Sequence, residues 1–444
     1  MKLSSLALTA AGALLLLFSN EIVSAQSPDA DSWLGITLPP AFQAHRAPVI
    51  LGTDYGPRPA LVPAGEEAFR ALLGETIRQD LETIVGFAKD SRENREVGGG
   101  QLWGRITGLP SADRTMDWVV ERFEAGGVAR VERQWFDQEE GTSLWLPLSW
   151  EVRLLADPVF GADSRDIVLE SAMPAGGTEL PPEGLTAPLV FVGTARPAEL
   201  ANIDVRGKVA VQHVTPKGHL FLERGPARAK AAELIRRGAL AVFNIVDQSG
   251  NMRMRDISNC GGPCFNIGGQ DGRFLEQVMD RAADAGTLDR LHVSMKLEAE
   301  QRSGLRASNV LGVVPGDSDE NIIINAHADG WFDGANDNGD GLAIMLALSE
   351  HFSQSEHRPS RTLVFVASAG HHTSGLRGPT QLVALNPELI ERNVLTINLE
   401  HVAARQLNPA RTATDGVRDL ITDAGEGFLM NGVSNRSPFL QSVI

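Results

Sequence analysis

Residues 321–341, NIIINAHADGWFDGANDNGDG, constrain this chain more than any other stretch. The apolar run Ile322-Ile323-Ile324 predicts a buried strand. His327 and Asp329 follow just past its end, and a loop rich in Gly and Asn then carries Asp333, Asp337 and Asp340. Leu342, Met345, Leu346 and Leu348 begin a helical pattern. A His and several carboxylates at the carboxyl end of a strand is how open α/β sheets build metal or substrate sites. Taken alone, the loop reads equally well as a solvated Asp/Asn turn that happens to hold a His.

The neighbouring strands bear on that choice. Residues 309–314 predict a strand with a Pro315-Gly316-Asp317 turn after it, and 341–352 a helix. A strand at 362–367 leads to Gly370-His371-His372, and a strand at 394–399 leads to Glu400-His401. Three strands in succession therefore end on groups that can hold a metal. Strands joined by helical crossovers predict an α/β fold with a mostly parallel sheet flanked by helices, its site at the carboxyl ends.

Upstream, the pattern divides the chain. Residues 66–89 carry apolar positions at helical spacing, Gly98-Gly99-Gly100 is a break, and Gly104-Arg105-Ile106-Thr107-Gly108 precedes a second helix at 112–125. Ser111 or Asp113 is the expected cap of that helix, with Gly126-Gly127 stopping it and a strand at 128–136. The middle has short β-like runs at 189–192, 209–214, 241–245 and 291–295, and one helix at 228–237. It shows no polar cluster of catalytic type and predicts a separate β-rich inserted domain at 151–300, between the two parts of an α/β domain at 66–150 and 301–444. His213 and His219 lie in the insert and read as surface or satisfied core histidines.

With 444 residues the chain can hold two domains. Its formal charge of −16 argues against nucleic acid or an anionic membrane surface as a partner. Lys2, the apolar run 6–18 and Val23-Ser24-Ala25 form a signal peptide over residues 1–25, too short an apolar run for a membrane span. Residues 26–65, rich in Pro and Ala, read as an N-terminal arm. Export, to a periplasm or outside the cell, is the expectation. In an oxidising compartment Cys260 and Cys264, the chain's 2 cysteines, are expected to form a local disulfide.

At this point the motifs carry a family resemblance. His327-Ala328-Asp329 and Gly334-Ala335-Asn336-Asp337-Asn338 resemble the first two metal motifs of metallopeptidase family twenty-eight, the co-catalytic zinc aminopeptidases and glutamate carboxypeptidase-like enzymes. Gly104-Arg105-Ile106-Thr107-Gly108 resembles an N-terminal segment of that family, and the middle resembles a protease-associated insert. The resemblance implies zinc on His327 and Asp337, with Asp329 orienting the His327 ring. The family's next strand ends in Glu-Glu, a general base and a ligand, where this chain has His371-His372. Glu400 stands where the family has an Asp ligand, and Arg436 falls in the place of the last His.

These matches imply one zinc ion on His327, Asp337 and Glu400, with His372 as a further ligand and His371 as the base. A cation at 436 opposes a second ion. The function implied is an exported zinc-dependent exopeptidase of aminopeptidase type, acting on a peptide or small amide by metal-activated water. The alternative is a catalytically silent relative that keeps the fold for binding or scaffolding.

Overall fold

The computed structural model describes residues 74–402 apart from 162–163, 215–220, 248–249 and 256, with short pieces at 32–33, 36–37, 69, 72, 405–411 and 418–427. Arg436, His219, the signal peptide and most of the N-terminal arm lie outside the described residues.

Helix α1 (Gly74–Glu93) is followed by the short strand β1 (Gly104–Arg105), helix α2 (Pro110–Ala125) and strand β2 (Arg130–Asp137). Neither expected cap is used at α2. Leu109 occupies the cap position with Pro110 in the first turn, because the Ser111 hydroxyl instead donates to the Gly104 carbonyl at 2.8 Å. Glycines 126 and 127 do close the helix, the first as its C-cap and the second at φ +80°.

The middle of the chain contributes β3 (Leu144–Leu154), β4 (Ile167–Val168), β5 (Met173–Pro174), β6 (Leu185–Phe191), β7 (Val209–Val214), α3 (Phe221–Arg236), β8 (Ala241–Val246), β9 (Cys264–Ile267), α4 (Gly269–Asp284) and β10 (His292–Arg302). They form one eight-stranded sheet in the order β4-β3-β10-β6-β7-β8-β9-β5. Strands β6 to β9 are parallel, with α3 between β7 and β8 and α4 following β9, so this region is itself α/β and not simply β-rich. The sheet begins at Leu144, seven residues before the expected boundary, because β3 pairs along its whole length with β10. One face packs Phe243, Phe265, Leu275 and Met279 together with Ile106 and Leu109; the other packs Ala210, Val242, Ala231 and Leu234. Cys260 and Cys264 are joined in a disulfide and buried in that second cluster.

The rest of the chain supplies β11 (Arg306–Val314), β12 (Ser318–His327), β13 (Gly330–Trp331), α5 (Asp340–Ser353), β14 (Arg361–Ser368), α6 (Gly378–Leu385), α7 (Pro387–Glu391) and β15 (Asn393–Asn398). These make a five-stranded sheet in the order β15-β12-β14-β11-β2. Strands β15, β12 and β14 are mutually parallel, while β11 and β2 extend the sheet antiparallel. The sheet is therefore mixed, with its parallel half under the predicted site. Phe123, Val310, Ile324, Leu342, Met345 and Phe365 fill one face beneath α1, α2 and α5, and Ile323, Val364, Val366 and Leu382 fill the other. Strands buried on both faces are what near-continuous apolar runs such as 322–324 and 363–367 require. No helix of the described residues is long and apolar enough to cross a membrane.

Candidate metal centre

Parallel pairing brings three strand ends level. His327 lies opposite Ser368, and Asn325 opposite Asn398, so the residues just beyond β12, β14 and β15 converge on one edge of the sheet. That edge holds all six of the site residues read from the sequence: His327, Asp329, Asp337, His371, His372 and Glu400.

His327 is buried, with its ring held from both sides. Nδ1 lies 3.0 Å from the Asp329 carbonyl and 3.4 Å from its carboxylate. Nε2 lies 3.2 Å from Asp337 Oδ1 and 3.8 Å from Glu400 Oε1. Neither oxygen is aligned for a hydrogen bond, and Nε2 is a buried polar atom without a partner. His372 Nε2 lies 3.0 Å from the same Asp337 oxygen. The His371 ring stacks on His327 with centroids 4.2 Å apart, and its Nε2 is 3.6 Å from Glu400. Two sets each offer one atom per residue within 4.8 Å of the others: His327, Asp337 and Glu400, and His327, His371 and His372. His372 belongs to the second set and separately contacts Asp337, while Glu400 belongs only to the first.

The support around these groups is dense. Asp329 is buried and accepts the backbone N–H groups of His371 at 3.2 Å and His372 at 3.0 Å, tying the end of β14 to the end of β12. The Thr107 hydroxyl accepts the Gly370 N–H at 2.9 Å. Asn338 donates to the Leu399 carbonyl at 2.9 Å, which sets Glu400 beside the loop. His401, with Nε2 3.7 Å from Glu400 and Nδ1 2.9 Å from Asn336 Oδ1, joins the site although the sequence assigned it no role. Its signal was present in the Glu400-His401 strand end.

Charge is concentrated here. Burial works against protonation of His327, but the nearby carboxylates of Asp329, Asp337 and Glu400 outweigh it and raise its pKa to about 11. The neighbouring His327 holds Glu400 down at about 2. Burial opposes ionisation of Asp329 and Asp337, yet the neighbouring histidines keep both below the usual carboxylate range. His371 is shifted the other way, below the usual imidazole value, first by desolvation and then by the nearby histidines.

One imidazole and two carboxylates converging on a buried, unpartnered nitrogen is a donor set that zinc accepts. A dication there would replace the proton on His327 and satisfy Nε2, so these residues fit a metal. Asp329 on Nδ1 fixes which ring nitrogen faces the site.

The fold is α/β, and this edge of its parallel half gathers a set of potential metal ligands. Residues 309–438 match the model of peptidase family M28. The chain is 30% identical over 151 residues to aminopeptidase NAALADL1 of Mus musculus, covering 32% of this chain and 20% of that protein. It is 26% identical over 248 residues to aminopeptidase YwaD of Bacillus subtilis (strain 168), covering 54% of this chain and 48% of that protein. It thus spans a fifth to a half of the length of these relatives. The crystal structure of a peptidase M28 precursor from Shewanella amazonensis SB2B shares the fold, with a TM-score of 0.52 at 21% identity over 72% of each chain.

Proposed function

We propose that this chain is an exported, zinc-dependent exopeptidase of aminopeptidase type that binds a single zinc ion through His327, Asp337 and Glu400. The observation that carries the reading is the buried His327 Nε2, with no hydrogen-bond partner, facing two carboxylates from separate loops. Family M28 similarity over 309–438 and relatives named aminopeptidases support peptide-bond hydrolysis as the reaction class. The sequence of residues 1–25 supports export, and that of the middle region a protease-associated insert.

Zinc, when bound, would lower the pKa of water and polarise a substrate carbonyl. The chain's own residues do the rest. Asp329 holds the His327 ring and, through two backbone N–H groups, the His371-His372 turn. His371, half exposed and neutral near pH 7, is placed to take a proton at Nε2. Glu400, 3.6 Å away, favours the imidazolium that results.

One observation favours a second reading, a silent binding module: an imidazole pair, His371-His372, occupies the place of the family's Glu-Glu. The test measures zinc content after purification without chelators, together with hydrolysis of aminoacyl anilides. About one zinc per chain and turnover abolished by His327→Ala support the enzyme. Zinc without turnover supports the silent module. Absence of zinc, with no effect of His327→Ala, overturns the metal reading.

A further inference from the structure

The metal loop is built around a cation that is no part of its donor set. Arg105 is completely buried, although it lies in the two-residue strand β1, more than two hundred residues upstream of the loop. Its Nε donates to the Ala328 carbonyl at 2.9 Å, Nη1 to those of Asp333 at 3.1 Å and Ile84 at 3.4 Å, and Nη2 to that of Gly334 at 2.9 Å. Every one of these acceptors is a backbone oxygen. Burying a guanidinium on carbonyls alone is costly unless charge nearby compensates it. That charge comes from Asp329, Asp337 and Asp333.

The loop is shaped to the guanidinium in return. A Cβ at Gly330 would meet Arg105 Nη2 at 2.9 Å and the Asp337 carbonyl at 2.6 Å. A Cβ at Gly334, where φ is +55°, would meet Nη1 and Nη2 at 3.1 Å each. Strand β1 also pairs with β13, Arg105 opposite Gly330. The carbonyls that Arg105 grips bracket Asp329 on one side and precede Asp337 on the other. A flat fork of donors fixes the distance between the two ends of this loop, which a single ammonium cannot do.

We propose that Arg105 is a positioning residue for the metal centre: it sets the spacing between His327-Asp329 and Asp337 through the carbonyls of Ala328, Asp333 and Gly334. The zinc part of this inference rests on the function proposed above; the loop part does not.

The test compares wild type, Arg105→Lys and, as a distant control, Arg133→Lys, which alters an arginine bound to Asp113 and Ser308. Three quantities are measured: zinc Kd by competition with a chromophoric chelator, the unfolding midpoint of the metal-free protein, and amide exchange of the peptide spanning 328–341 relative to that spanning 361–368. Arg105→Lys should weaken zinc about 10- to 100-fold, as loss of an outer support to a metal site does, and speed exchange selectively at 328–341. Arg133→Lys should lower the midpoint at most and leave Kd and that exchange ratio alone. If Arg105→Lys lowers only the midpoint, Arg105 is structural and the proposal is overturned. If wild type binds no zinc, the metal reading fails, and the exchange ratio still decides the role of Arg105. Should Arg105→Lys not fold, Gly334→Ala presses on the same guanidinium from the loop side and must raise the same exchange ratio; an unchanged ratio overturns the proposal.

Discussion

Asp329 serves three neighbours at once: the His327 ring and the N–H groups of His371 and His372. An amide offers only one oxygen, so Asp329→Asn leaves the end of β14 short of an acceptor and lets the His327 ring turn. Its zinc Kd should rise about 10- to 100-fold while the fold persists; an unchanged Kd in the chelator competition would count against this role. The chelated protein should also show a pH signature. His327 has a pKa of about 11 in the fold against the ordinary imidazole value of 6.5, despite the opposing effect of burial. A raised pKa contributes stability that is full below the unfolded value and is lost as pH climbs through the folded one. Metal-free protein should therefore lose stability between about pH 6.5 and pH 11, and His327→Gln should flatten that slope in denaturant titrations. A slope identical in the variant would assign the loss to other groups.

At the level of elements, the turn after β14 is the tightest constraint on the site. Gly370 has φ +76°, and a Cβ there would collide with the backbone oxygen of Leu376. Gly370→Ala forces a strained backbone that costs about 1–3 kcal/mol, and relief of that strain moves His371 and His372. Thermal unfolding should register the loss, and zinc affinity should fall with it. Retained affinity would mean that the turn is more tolerant than its packing indicates. The strand itself is less delicate: Val364, Phe365, Val366 and Ala367 are all fully buried between helices, so β14 is a rigid platform for that turn.

Across the whole molecule, two sheets are joined where β2 gives way to β3 and where β10 gives way to β11, and Ile106 and Leu109 pack into the core of the larger sheet while Leu305 touches both cores. The disulfide lies in the larger sheet, remote in sequence from the metal loop, and closes a separation of 4 residues. Loop entropy for so short a closure amounts to about 2 kcal/mol at most. The Cys260→Ser, Cys264→Ser double variant should therefore unfold at a modestly lower temperature and bind zinc as wild type does. A large drop in zinc affinity would show that the two sheets are energetically coupled.

In the parallel half, β12 and β14 were legible from sequence because each is a dense apolar run buried on both faces, and such runs have few alternatives, whereas β15 is a largely exposed edge strand. Strands β7 and β8 and the segments around 309–314 and 362–367 were readable for the same reason. His327, Asp337, His371 and Glu400 could be picked out because polar ligands at the ends of apolar strands are conspicuous. What sequence could not show is anything that depends on a long-range contact. Arg105 carries no periodic signal; only the fold brings it to the carbonyls of Ala328, Asp333 and Gly334. The antiparallel direction of β11 and β2 depends on pairing across more than a hundred residues, which local pattern does not encode. The cap of α2 went to Leu109 because Ser111 found a better partner in Gly104, a choice made by packing. Local patterning chose the elements and the candidate ligands, while tertiary structure decided how those ligands are spaced, which of them share Asp337, and which buried charge holds the loop between them.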